Sequence, residues 1–406
     1  MHMVWKIGLL GWVITMMSID MAKVADGAVS ENVMKKIDVI NSMGPYLGVV
    51  VPNTFEMGPF LNSPSFVPHP HLPFLDFAGR RFRIGAVETR KVVVVMTGLS
   101  TINAGIATQL LLSLFDIEGV VHFGIAGNAN PQLQIGDVTI PHYWAHTGLW
   151  NWQRWGDDAD DELALESTGD YTREIGYLKF SDYNNTTNVS ESTDNFLNRV
   201  WYQPEEIFSI DGQPEVRQHA FWVPADTHYL SLAKNLEGMK LERCVNSTCL
   251  PRTPEVVLVE RGVSANVFVD NAAYREFLRS KFNATPIDME SAAVALVCLQ
   301  QMKPFIAIRA LSDLAGGGSS VSNEADAFAP LAAQNAVSVM LSFVNLTVPH
   351  VGVRPVLWSL MACNFFGSVV WKCSAGPLST LCVAPVSGNN SFLALCGGSG
   401  VDGRLG

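Results

Sequence analysis

Between about residues 29 and 348, short apolar runs alternate with helix-like segments, and this alternation narrows the possible folds more than any other feature. Leu47–Val51 is continuously apolar and holds three valines, the signature of a buried strand. Phe82–Val87 and Lys91–Met96 read as a hairpin, followed by a turn at Gly98. Gly119–Phe123, Val138–Tyr143, Glu255–Arg261 and Pro304–Leu311 read as further strands. Ser30 can cap a first helix with Val33, Met34, Ile37 and Ile40 on one face, ended by Gly44-Pro45. Asn103–Leu114 carries apolar residues at helical spacing, and Ala272–Ser280, Met289–Met302 and Asp326–Leu346 read as helices. Strands alternating with helices imply an α/β layer fold with a mostly parallel or mixed sheet. Residues 150–220 are polar and rich in Trp, Asp and Asn, so insertion loops are expected there.

The two ends behave differently from this body. Residues 1–27 have the form of a secretory signal: Lys6, then the apolar run Ile7–Met17, then small residues Ala25 and Gly27 placed for cleavage before Ala28. That run is shorter than the ~20 residues a membrane-spanning helix needs. Seven Asn-x-Ser/Thr sequons, at Asn184, Asn185, Asn188, Asn246, Asn283, Asn345 and Asn389, fit passage through the secretory pathway. Cys244 and Cys249 flank one of them and can close a small loop in an oxidising compartment. From Pro349 charge almost vanishes, while four of the seven cysteines fall there among Gly, Ser and Pro. Residues 349–406 therefore read as a C-terminal appendage, a poorly ordered tail or an artefact of how the reading frame was set rather than a membrane anchor, since Val356–Val370 is short for a span and holds Ser359, Asn364 and Gly367. The net charge of −11, with no long basic run, argues against nucleic acid as a partner.

In an open α/β sheet, ligands gather at the carboxyl ends of strands. After Leu47–Val51 comes Pro52-Asn53-Thr54-Phe55-Glu56. After Gly119–Phe123 comes Gly124-Ile125-Ala126-Gly127-Asn128, read as a small-residue turn. After Pro304–Leu311 come Ser312 and Asp313, then a Gly/Ser loop, and Met289-Glu290 opens a helix. Glu56, Glu290 and Asp313 can thus converge. Each also has an ordinary structural alternative, since acids favour helix starts and turns. His142 with His146, and His69 with His71, are poor metal pairs in their strand and proline contexts. No metal and no cofactor is expected.

Four segments together resemble the nucleoside phosphorylase superfamily, in its methylthioadenosine/S-adenosylhomocysteine nucleosidase branch and the plant bark or vegetative storage proteins derived from it. They are Val121–Gly127, Gln134–Val138, Ile287–Ala293 and Ile308–Asp313, in matching order along roughly residues 47–347, apart from insertions around 150–235. The resemblance implies a three-layer α/β/α sandwich with a central mixed, twisted sheet over residues 28–348. It implies a purine nucleoside as ligand and a homodimer. It also implies roles: Asp313 as proton donor oriented by Ser312, Glu56 positioning water with Arg309 nearby, and Glu290 gripping the ribose hydroxyls. Met289 would lie against the sugar, and Phe268 and Val269 against the base, with Ile125 and Gly127 in the turn close to the water and sugar.

Two departures bear on activity. Ile125 stands where the nucleosidases keep a serine, and Leu99-Ser100-Thr101-Ile102-Asn103 replaces a more glycine-rich turn. Three readings follow: a nucleosidase-like protein that recognises adenine nucleosides and hydrolyses them, a secreted or vacuolar storage glycoprotein with little or no catalysis, and a nucleoside binder without turnover.

Overall fold

A computed structural model describes residues 29–152, residues 199–316 apart from 214 and 246, residues 324–348, and the short strands at 175–177, 372–375, 380–383 and 394–395. The signal-like segment, the 184–190 sequon cluster and most of the C-terminal appendage lie outside the described residues. The chain divides into two compact units, Met1–Pro349 and His350–Gly406. In the second, strands Lys372–Ala375, Thr380–Val383 and Ala394–Leu395 pair antiparallel.

The first unit is built on an eleven-stranded sheet. Its strands are β1 (Tyr46–Val51), β2 (Phe66–Pro68), β3 (Phe74–Phe77), β4 (Arg80–Val87), β5 (Arg90–Met96), β6 (Ile117–Asn128), β7 (Val138–His146), β8 (Val223–Pro224), β9 (Val256–Ser264), β10 (Ala284–Asp288) and β11 (Phe305–Leu314). The helices are α1 (Glu31–Ser42), α2 (Thr54–Leu61), α3 (Thr101–Leu114), α4 (Thr227–Ala233), α5 (Ala272–Phe282), α6 (Ser291–Gln300) and α7 (Glu324–Leu346).

The strand residues alternate between two cores, as the twofold period of a strand requires. Val49, Val94, Val121, Phe123 and Ile308 face one core, closed by Phe60 of α2, Tyr229 of α4 and Ala336, Met340 and Phe343 of α7. Val50, Val95, Val120 and Ala307 face the other, closed by Ile37 and Ile40 of α1, Leu111 of α3 and Val294 and Cys298 of α6. The result is the expected three-layer α/β/α sandwich. One window of α7, Phe328–Leu346, is long and apolar enough to cross a membrane, but just over half of it is buried inside the protein.

The sheet is mixed and curls on itself. β6 pairs with β11 in parallel, β11 meets β7 antiparallel, β7 and β9 are parallel, β9 and β10 are parallel, and β10 returns antiparallel to β6. These five strands form a closed ring, and β1, β5, β4, β3 and β2 extend from it as an open wing.

The ring explains where sequence patterning misplaces an element. Gly124–Asn128 is not a turn but the second half of β6. β11 pairs with it as far as Asn128 and β10 bonds it at Gly127 and Asn128, so its backbone stays extended between two partners. β10 itself is unannounced in the sequence, because Pro286 and Asp288 break a strand pattern that tertiary pairing restores. Consequently α6 begins at Ser291 rather than Met289. β11 runs on through Asp313, with a register shift between Leu311 and Asp313. Cys244 and Cys249 form a disulfide across a two-stranded hairpin, with Cα atoms 4.0 Å apart.

Candidate functional site

Arg309, at the middle of β11, has no solvent exposure. A buried guanidinium must be paired to persist. Its Nε lies 2.7 Å from Asp288 Oδ2, its Nη2 3.5 Å from Glu290 Oε2 and its Nη1 3.8 Å from Glu56 Oε1. Nε also donates to Ser291 Oγ at 3.0 Å, Nη1 donates to the Ile125 carbonyl at 3.2 Å, and Nη2 donates to His122 Nε2. His122 Nδ1 is 3.0 Å from the Val50 carbonyl, which can only accept, so the ring is neutral with its proton on Nδ1. Burial and the adjacent cation hold the imidazole well below its ordinary pKa.

Local structure delivers each acid to this cation. Asn53 caps α2, accepting from the Phe55 and Glu56 amides at 2.9 and 3.1 Å, and so turns Glu56 inward. Glu56 is 2% exposed, and its Oε1 accepts from the Ile125 amide at 2.7 Å. A Cβ at Gly124 would overlap both the Arg309 guanidinium and the Glu56 carboxylate, so only glycine lets them meet. Asp288, at the end of β10, accepts from the Glu290 and Ser291 amides at 3.2 Å and from the hydroxyls of Ser264 and Ser291. It fixes the entry to α6 and thereby Glu290. Glu290 Oε1 accepts from the Ser100 amide at 3.0 Å. Ser100 holds φ 94° and ψ 152°, a conformation suited to glycine that costs on the order of 1–3 kcal/mol in other residues.

One cation faces three carboxylates, so they cannot all ionise freely. Burial pushes the Glu56 carboxyl up to about 8, against the opposing pull of Arg309 and the Ile125 amide. Burial likewise raises Glu290, opposed by Arg309. Oε1 of Glu56 is engaged, whereas Oε2 is buried with no hydrogen-bond partner in the protein, so a proton on this acid sits on Oε2.

Asp313 lies further along β11, paired in register with Gly127 of β6. The register shift just before it re-aims the side chain, as bulges do. Ser312 Oγ donates to Asp313 Oδ1 at 2.7 Å and lies 3.2 Å from the Ala126 carbonyl. Burial raises the Asp313 carboxyl; the Ser312 hydrogen bond opposes this and the nearby Asp270 charge adds to it. Asp270 belongs to the segment after β9, in which Val269 is buried among Phe282, Ile287 and Ala315. Phe268 beside it is 70% exposed, and Met289 and Ile125 are half-buried.

Glu56, Glu290 and Arg309 are thus brought together, with Ile125 joined to them by its backbone. Asp313 and Ser312 stand at a separate point on the same strand. Sequence reasoning singled out neither Asp288, which lies inside the segment Ile287–Ala293, nor His122, a lone polar residue in the apolar run Val120–Phe123. Among the described residues, no group of three or more His, Cys, Asp or Glu is placed to hold a metal. His146 pairs with Glu205, His142 lies 3.6 Å from Glu260, and His69 accepts the Leu72 amide at 3.0 Å as a turn residue.

Comparison with known proteins adds four findings. A family model described as the phosphorylase superfamily matches residues 46–345. Bark storage protein A of Populus deltoides is 34% identical over 273 residues, covering 67% of this chain and 79% of that protein. The 5'-methylthioadenosine/S-adenosylhomocysteine nucleosidase of Marinomonas sp. is 28% identical over 248 residues, covering 61% and 78%. Among solved structures, the nucleosidase of the same description from S. pneumoniae, with a transition-state inhibitor, aligns with a TM-score of 0.50 at 17% identity. That alignment covers 74% of this chain and 99% of the other, and speaks to the fold alone.

Proposed function

Because this chain belongs to the phosphorylase superfamily, we propose that it binds adenine nucleosides and hydrolyses their N-glycosidic bond. The observation that carries this reading is the division of acids: Glu56 and Glu290 on a buried arginine, and Asp313 apart with a raised pKa. Breaking the bond leaves positive charge on the sugar and sends an electron pair to the purine. Asp313, its carboxyl raised by burial and oriented by Ser312, gives its proton to the departing base. Glu290 accepts hydrogen bonds from the ribose hydroxyls, Met289 lies against the sugar, and Phe268 and Val269 line the base. Glu56 in its ionised form takes the proton of the water that attacks the sugar, and Arg309 holds Glu56 and Glu290 in place. Between turnovers, solvent returns a proton to Asp313 and removes one from Glu56.

Hydrolysis is favoured over phosphorolysis. Phosphate needs Arg, Lys or a nest of free amides. Residues 49–61 contain no Lys or Arg, and Arg309 is committed to carboxylates.

A second reading is a storage glycoprotein of the secretory pathway, vacuolar or extracellular, with its mature end near Ala28. It draws support from the likeness to bark storage protein A, from Ile125 and from the strained Ser100. Asn283 and Asn345, the two sequon asparagines among the described residues, are both exposed. One assay separates the readings: release of free base from a panel of nucleosides, with and without phosphate. Adenine release that does not depend on phosphate is expected; no release from any member of the panel would leave the storage reading standing.

A further inference from the structure

Helix α3 lacks a cap from its own chain neighbour, since the Ser100 side chain makes no capping hydrogen bond. The missing acceptor comes from far away. Asn266 Oδ1, in the segment after β9, accepts from both the Thr101 amide and the Thr101 hydroxyl, each at 2.8 Å. The amide one residue earlier, Ser100, is the donor that holds Glu290 Oε1. The turn is tied on its other side as well: Asn103 Nδ2 donates to the Leu99 carbonyl at 2.8 Å and Arg80 Nη2 donates to Asn103 Oδ1 at 2.7 Å. Those contacts fix residues 99 and 103, and Asn266 alone among them grips Thr101.

We propose that Asn266 is a positioning residue, a cap supplied in trans that locks the Ser100 amide onto Glu290 and couples the segment bearing Phe268 and Val269 to the grip on the ribose hydroxyls. The ligand half of this proposal rests on the nucleoside reading above. Ser100 sits in a conformation that a non-glycine residue leaves readily once its neighbour is released. Loss of the cap therefore frees the Ser100 amide, and Glu290 Oε1 loses that donor while Arg309 still faces Oε2. Asn266→Asp retains an acceptor at a helix start, where an anion is also favoured.

The test compares the protein with its Asn266→Ala and Asn266→Asp forms, each carrying Asp313→Asn to prevent turnover. Amide hydrogen exchange is read at Ser100 and Thr101, and binding of adenosine and of 2′,3′-dideoxyadenosine is read by calorimetry. Asn266→Ala should speed exchange at both amides and weaken adenosine about tenfold, or about 1.4 kcal/mol. Dideoxyadenosine, lacking the hydroxyls, should bind as before, and Asn266→Asp should restore both readouts. Unchanged exchange at Ser100 in Asn266→Ala overturns the proposal, as does equal weakening of the two nucleosides. If the parent protein binds neither nucleoside, the ligand reading fails by itself, and the exchange at Ser100 still decides the role of Asn266.

Discussion

Asp313 and Glu56 both carry raised pKa values, yet they invite opposite substitutions. Asp313→Asn keeps the shape and removes the proton, so turnover should fall by at least ~10² while nucleoside binding persists, as steady-state rates and calorimetry will read. Ile125→Ser, which restores a hydroxyl beside Glu56, should raise turnover in the same assay. For Glu56 the consequence is in stability. An acid whose pKa is about 8 when folded and near 4.5 when unfolded binds its proton more tightly in the native state. Its contribution is therefore fully present below pH 4.5 and lost as pH rises through about 8. Glu56→Gln should leave the melting temperature little changed at pH 5 and raise it at pH 9, where removing the buried charge stabilises the fold by on the order of a few kcal/mol. A melting curve unaltered at pH 9 would contradict the burial of an unneutralised acid there. Asp313 and Glu290 were singled out in the sequence because they stand in recognisable motifs, and Glu56 because it follows the legible strand Leu47–Val51. His122 was visible in the sequence as a lone polar residue in an apolar run, but its partner was not, because the contact is with Arg309, 187 residues away.

At the scale of elements, apolar runs such as Leu47–Val51 and Lys91–Met96 announced β1 and β5, because strands buried on both faces need no alternation to be seen. β10 escaped notice, since a five-residue strand with a proline is held by pairing to β9 and β6 rather than by its own propensity. The far half of β6 was hidden for a related reason: glycine and alanine there read as a turn until β11 is laid beside them. The hairpin closed by Cys244 and Cys249 is exposed and spans a separation of five residues. Closing so short a loop is worth about 2 kcal/mol in the chain-entropy account. The Cys244→Ser/Cys249→Ser protein should thus melt only a few degrees lower in calorimetry and keep its ligand affinity. Loss of folded protein would show that the bridge supports more than its own hairpin.

The homodimer that the family resemblance implies can be tested on an apolar patch of α3 and α6. Ile102 and Ile106 of α3 are 67% and 49% exposed beside a cavity of about 370 Å³ shared with Leu296 and Val297 of α6. Sedimentation equilibrium should accordingly find a dimer, and Ile102→Glu with Ile106→Glu should shift it to monomer; a parent protein monomeric at all concentrations would refute the homodimer. The ring of five strands also has a consequence in time. Its closing strand, Phe305–Leu314, is the last of the sheet to be synthesised, long after Ile117–Asn128. At ribosomal speeds of about 5–20 residues per second, some 10–40 s separate the two. Throughout that interval β6 has one side unpaired, and long-range pairing of this kind is slow to form. A nascent chain halted before residue 305 already holds Glu56, Asp288 and Glu290 but lacks Arg309, so the arginine-centred cluster has no centre until β11 has been made.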